Sequence, residues 1–317
     1  MQKTSAQDAT FRIKSLLENR GRHGVPRGEL WIGSAFLARA GLDDTLDNHF
    51  QLAALLGQEM VCLPVLERPE RNVNMGYRYF EPKELGRGLR DRTRFLAAIV
   101  DGPFQRMVCQ SGLMQVLMGW TEDRESIMAA YANEEKIAGN LIERCLTKGF
   151  DAIILADDLA GEKAPFINPL ELDTVCSPFY SRVVSSAKAA GLLVFLHCCG
   201  NLTQLLPLIK SWNFDGLAAI QICKNDPDLL VREIGGVMIG GIEATLLETD
   251  SPPIKEMEAL IRFVTRFAKQ ERLILSSSCG LYRSDFWERL QRIYEGLGQN
   301  QPQHGCSANT YMKRNTS

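Results

Sequence analysis

Short β-branched or apolar runs alternate with longer amphipathic stretches along nearly the whole chain, and this rhythm leaves few folds open. Leu30–Gly33, Met60–Val65, Arg106–Gln110, Ala152–Ala156, Leu192–Leu196, Leu217–Ile222, Val237–Gly240 and Leu273–Ser276 read as strands. Helical spacing fills the gaps: Thr121–Lys148 closed by Gly149, Pro178–Ala190 closed by Gly191, Leu202–Trp212, and Pro253–Lys269. Eight strands interleaved with helices predict an α/β fold, a parallel (β/α)8 TIM barrel rather than an open sheet. The first strand is the weakest, so seven strands with an irregular eighth stave is the alternative. Arg68 to Arg90 breaks the rhythm. Its Asn72, Asn74 and Gly76, followed by Tyr77, Arg78, Tyr79 and Phe80, read as a hairpin or lid inserted after the second strand. Residues 1–297 form one domain in this reading, and the Gln/Asn-rich stretch 298–317 is expected to be a flexible tail.

A barrel of 317 residues buries about three quarters of its unfolded surface. It needs no metal to fold, so a bound metal is free to serve chemistry. The net charge of −2 gives no basic face for nucleic acid or an anionic membrane. No apolar stretch approaches the ~20 residues that span a bilayer. Met1 to Asn19 lacks the apolar core of a secretory signal, so the cytoplasm is the expected compartment. There the nine cysteines are expected to be reduced thiols. Cys62, Cys109 and Cys223 lie in or beside apolar runs and read as small core residues. His23, His49 and His304 lie in polar surroundings and carry no signal.

His197 is different. The run Leu192 to Leu196 delivers His197-Cys198-Cys199-Gly200 at its end, and Leu273 to Ser276 delivers Ser277-Ser278-Cys279-Gly280. Functional residues of a (β/α)8 barrel sit at the C-terminal ends of strands. Strand alternation puts His197 and Cys199 on one side and turns Cys198 away. Counted as the fifth and eighth strands, the two runs converge across the mouth. His197, Cys199 and Cys279 then form a zinc site with one tetrahedral position open, the mark of a catalytic rather than a structural ion. Buried thiols lining a core are the alternative; a strained Cys198–Cys199 disulfide is a rarer one. Asp157, Asp158 and Glu243 also stand at strand ends. Each is a candidate fourth ligand, general base or partner orienting His197, against a plain helix-capping role. Gln221 and Gln110 are weaker candidates of the same kind. Gly200 and Gly280 allow a sharp turn or the close approach of a flat cofactor.

His197-x-Cys199-Gly200 followed distantly by Cys279-Gly280 resembles the zinc motif of cobamide-dependent methyltransferases in the uroporphyrinogen decarboxylase-like superfamily, whose fold is a (β/α)8 barrel. Gly102-Pro-Phe104, Gly149 to Asp158, Leu196 to Asn201 and Ile239-Gly-Gly-Ile-Glu243 are similar to signature stretches of that family and stand in family order. The likeness covers about residues 10 to 295. True decarboxylases carry an arginine-rich motif for the porphyrinogen carboxylates, and Arg27 to Phe36 has no such cluster. They also tend to have His-Gly where this chain has Cys279-Gly280. The resemblance therefore implies a zinc methyltransferase.

Methyl transfer would run between a corrinoid and a small-molecule thiol or another methyl donor or acceptor. The chain lacks the Asp-x-His-x-x-Gly pattern of a corrinoid module, so the cobalamin is expected on a separate, transient partner protein. The alternatives are a cobalt-free zinc thiol alkyltransferase, a decarboxylase, and a non-catalytic barrel that senses or stores corrinoid or metal.

Overall fold

Seven strands follow one another around the sheet, each parallel to the next: β1 Met60–Pro64, β2 Phe95–Asp101, β3 Ala152–Ala156, β4 Leu193–His197, β5 Gly216–Ile220, β6 Val237–Ile242 and β7 Leu273–Ser277. A parallel sheet with helices outside is buried on both faces, which is why these strands are apolar at almost every position. Phe95, Ala97 and Ile99 on β2, Ile154 on β3 and Phe195 on β4 fill the interior. Leu96, Leu155 and Leu196 face the helical jacket. The computed structural model describes residues 13–17, 25–67, 76–86 and 94–299.

The gap between β7 and β1 is spanned by Pro26-Arg27-Gly28. Leu275 N donates to Pro26 O (2.7 Å) and Gly28 N to Leu275 O (3.0 Å), while Glu59 N and Met60 N both donate to Arg27 O (2.9 and 3.1 Å). This eighth stave cannot be regular. Pro26 has no N–H to give, and a Cβ on Gly28 would lie 2.5 Å from that of Met60. The expected first strand Leu30–Gly33 is displaced accordingly and makes only isolated bridges, Ile32 to Leu281 and Gly33 to Tyr77.

Three other expectations shift. Arg106–Gln110 is not a strand but part of helix α3, Pro103–Ser111, started by the Gly102-Pro103 pair; the strand is the preceding run Phe95–Asp101. The long helix expected at Thr121–Lys148 is two helices, α4 Leu113–Glu122 and α5 Arg124–Leu146, divided at Asp123, which caps the second through Ser126 N. The helix expected from Pro178 starts earlier: α6 spans Pro169–Ala189, and the Asn168 side chain accepts from Leu170 N at its start. Further helices are α1 Ser34–Arg39, α2 Leu46–Leu55, α7 Leu206–Trp212, α8 Pro227–Ile234, α9 Ala244–Glu248, α10 Ile254–Ala268 and α11 Phe286–Gln299. Gly298 and Gln299 thus complete the last helix, and the rest of the expected tail lies outside the described residues.

The insertion follows β1 as expected. Its residues 68–75 and 87–90 lie outside the described ones, but Phe80 is fully buried and pinned to the end of β1 by Phe80 N to Pro64 O (2.8 Å) and Leu66 N to Phe80 O (3.1 Å). His49, expected in polar surroundings, is buried edge-on to Phe80 and reaches Asp44 at 2.9 Å. Cys62 is a core residue as expected, whereas Cys109 and Cys223 are exposed. His23 and His304 lie outside the described residues. None of the described helices is long and apolar enough to cross a membrane.

Candidate functional site

β4 ends on His197, and the chain keeps its alternation for two more residues. Cys198 turns into the outer core, where its sulfur accepts from Leu159 N at 3.2 Å. Cys199 turns inward, its Sγ 3.7 Å from His197 Nε2. β3 contributes from the neighbouring position: Asp158 Oδ1 accepts from Cys199 N at 2.7 Å and lies 3.7 Å from the same Nε2. The ligand-type atoms of Asp158, His197 and Cys199 all lie within 4.8 Å of one another. Bonds of about 2.0–2.3 Å at tetrahedral angles put neighbouring ligand atoms roughly 3.3–3.6 Å apart, so this donor set fits a zinc ion with little movement.

The electrostatics agree with the spacing. Burial, opposed by the charge of Asp158, holds the His197 pKa below its ordinary value, keeping the imidazole neutral with a lone pair to offer. Trp31 wedges the ring edge-on at 4.6 Å between centroids, and Nδ1 is buried with no hydrogen-bond partner among the described residues. Burial pushes the Cys199 thiol up, and that of Cys279 up to about 12. Neither becomes a thiolate without a cation beside it.

Cys279 stands at the tip of β7, outside the 4.8 Å group but within electrostatic range of Cys199. It is set from below by Glu29. That fully buried carboxyl accepts from Ser277 N (2.9 Å) and from Tyr294 Oη (3.0 Å), and burial raises its pKa. From above, the Tyr77 hydroxyl of the insertion closes on Gly280 so tightly that a Cβ there would meet it.

Several other singled-out residues hold the frame. Asp157 faces outward, accepting from Gln105 N and Tyr180 Oη (both 2.6 Å) at the start of α3, and burial lifts its pKa to about 7. Glu243 accepts from Cys223 N (2.9 Å) and Cys223 Sγ (3.3 Å). Gln221 Oε1 accepts from Gly200 N (2.9 Å), and Asn225 Nδ2 donates to Gly200 O (2.8 Å). Gly200 has φ +92°, and a Cβ would lie 2.4 Å from Ala160 O, so tight packing accounts for it without a ligand. Gln110 is exposed on α3, away from any strand tip.

The sequence reading missed Asp101. It ends β2, buried and hydrogen-bonded by Tyr79. The apolar run Phe95–Val100 broken by Asp-Gly-Pro was the available signal.

The sequence profile described as Uroporphyrinogen decarboxylase (URO-D) matches residues 90–295. No curated protein matches the sequence. Among solved structures, a methyltransferase from Methanosarcina mazei is similar at TM-score 0.66 and 15% identity, covering 92% of this chain and 98% of that one. A B12-independent methionine synthase from Shewanella sp. W3-18-1 follows at 0.57 and 14%, covering 86% and 96%. A D-psicose 3-epimerase from Clostridium cellulolyticum H10 reaches 0.52 at 9%, covering 86% and 96%. At these identities the likeness is one of fold, shared by unrelated chemistries. The profile match runs from just before β2 to the last helix, and the chain belongs to the uroporphyrinogen decarboxylase family of enzymes.

Proposed function

We propose that this chain is a zinc-dependent methyltransferase, moving a methyl group between a corrinoid on a separate protein and a small-molecule thiol or other heteroatom substrate. The carrying observation is the set of His197, Cys199 and Asp158 atoms within 4.8 Å at the C-terminal end of the barrel. His197 and Cys199 would hold the ion, with Cys279 as third protein ligand and one position left for substrate. Asp158 anchors the Cys199 backbone and is the candidate to replace Cys279 as ligand. Bound zinc would supply the positive charge that ionises a thiol or polarises a leaving heteroatom. Gly200 and Gly280 are packed against Ala160 and the Tyr77 hydroxyl, so a flat corrinoid would meet those groups rather than bare backbone. Gln221 braces Gly200.

A porphyrinogen decarboxylase is the less favoured reading. Arg27, the one arginine of the segment Arg27 to Phe36, lies under the Tyr294 ring at 4.1 Å and donates to Tyr294 O, so it cannot serve substrate carboxylates. The test begins with metal analysis of the purified protein. About one zinc per chain is expected, with spectroscopic consumption of methylcobalamin when thiols are added. Zinc far below stoichiometry, with Cys199→Ala indistinguishable from the parent, would sink the reading. Thiol alkylation without corrinoid consumption would point to the cobalt-free alternative.

A further inference from the structure

Asp101 and His197 occupy one layer of the barrel wall. The register pairs Asp101 with Ala156 and Ala156 with His197. Asp101 continues the inward parity of Phe95, Ala97 and Ile99 on β2, as His197 continues that of Phe195 on β4. Two strand spacings separate their Cα atoms by roughly 10 Å. Between them the wall carries only the methyl of Ala156, and beyond His197 the layer continues with Ala218. A carboxyl and an imidazole thus belong to one inward layer, with only Ala156 between them on the wall.

The other buried acids near the mouth are occupied. Asp157 faces α3 and Tyr180, Glu243 holds Cys223, and Glu29 lies beneath Ser277. Asp101 is placed differently. The groups that bear on it are Tyr79, which hydrogen-bonds it from the insertion, the Arg106 guanidinium, and the like charge of Asp158. Arg106 is itself paired with Glu134, Nε to Oε2 at 2.8 Å, and the exposed Cys109 stands beyond.

We propose that Asp101 is the proton carrier of the barrel mouth, exchanging a proton with the substrate heteroatom that reacts beside His197 and Cys199. The inference rests on the methyl-transfer reading. In the thiol direction the S–H bond breaks and its proton goes to an Asp101 carboxylate oxygen. The sulfur pair forms the S–CH3 bond, and the cobalt–carbon pair stays on the corrinoid. In the opposite direction Asp101 returns the proton to the departing oxygen or nitrogen. Burial, partly offset by Arg106, lifts the Asp101 pKa to about 6, which makes exchange near neutral pH inexpensive.

The test is Asp101→Asn in the zinc-loaded protein, with 2-mercaptoethanol as thiol and methylcobalamin as methyl source. Zinc content stays at the parental level. The rate at pH 7 falls about 100–1,000-fold with little change in KM, and the limb that rises through pH ~6 disappears. Calorimetry in buffers of different ionisation enthalpy gives a second readout: thiol binding at pH 7 releases close to one more proton to solvent in the variant than in the parent. Tyr79→Phe removes a hydrogen bond that favours the ionised carboxyl, so it moves the limb to higher pH. An unchanged limb and equal proton release overturn the role of Asp101. A parent protein without zinc instead overturns the methyl-transfer reading on which it stands.

Discussion

The tips of β4 and β7 each present a cysteine followed by a glycine, yet only the second is also covered by the insertion. The β4 tip is made by its neighbours in the sheet: Asp158 beyond β3 holds the Cys199 amide, and Gln221 and Asn225 beyond β5 clamp Gly200 on both sides. The β7 tip is held partly by its neighbours and partly by the insertion: Glu29, just past the closing stave Pro26–Gly28, sets Ser277, β6 takes the Ser278 amide through Ile242 O, and Tyr77 covers Gly280. A tip held by adjacent strands is as rigid as the barrel. One held through an insertion can yield. The β4 tip therefore reads as the fixed half of the site and the β7 tip as its adjustable half.

The largest effect separates the two cysteines. Cys199→Ala should reduce bound zinc to near zero. Cys279→Ala should retain weak binding if Asp158 takes its place, and equal losses in metal analysis would remove the distinction. The glycines come next. In Gly200→Ala the new methyl meets backbone oxygen in a left-handed conformation, which should cost about 3 kcal/mol in a denaturant titration. In Gly280→Ala it meets the end of the Tyr77 side chain, so about 1 kcal/mol is expected, and that extra cost should vanish when the same change is made in the Tyr77→Ala background. Asp158→Asn, measured by competition with a chelator, should weaken zinc about 10–100-fold, and Glu29→Ala should fall at the lower end of that range.

A further effect is one of pH. The Asp157 pKa is raised to about 7 in the folded state by burial, so folding favours its protonated form. Stability should therefore fall as pH rises from about 4 to 7, by at most ~1.4 kcal/mol per unit. Thermal unfolding of Asp157→Asn should lack that slope. An unchanged slope would place the titration elsewhere in the barrel.

Much of this was legible in the sequence because strand alternation is local. Leu192 to Leu196 leading into His197 and Cys199 fixes which side chains share a face, and Cys198 does turn away. The family match likewise spans the stretch from Gly149 to Asp158. Asp101 was hidden because Phe95–Val100 reads equally as buried helix or strand, and Arg106–Gln110 competed for the same place. Roles split between adjacent acids were also out of view. Nothing local tells Asp157 from Asp158, yet one starts a helix while the other lies against Cys199.

The parallel barrel, the two strand tips and the histidine and cysteines they carry were readable along the chain, because periodicity and end residues are properties of short segments. Three features lie beyond any short segment: Pro26–Gly28 closes the sheet, Asp158 joins His197 and Cys199 ahead of Cys279, and Asp101 shares the layer of His197. Those outcomes depend on strand register and barrel closure, which bring together residues as far apart as Gly28 and Leu275 and are set by packing across the whole domain.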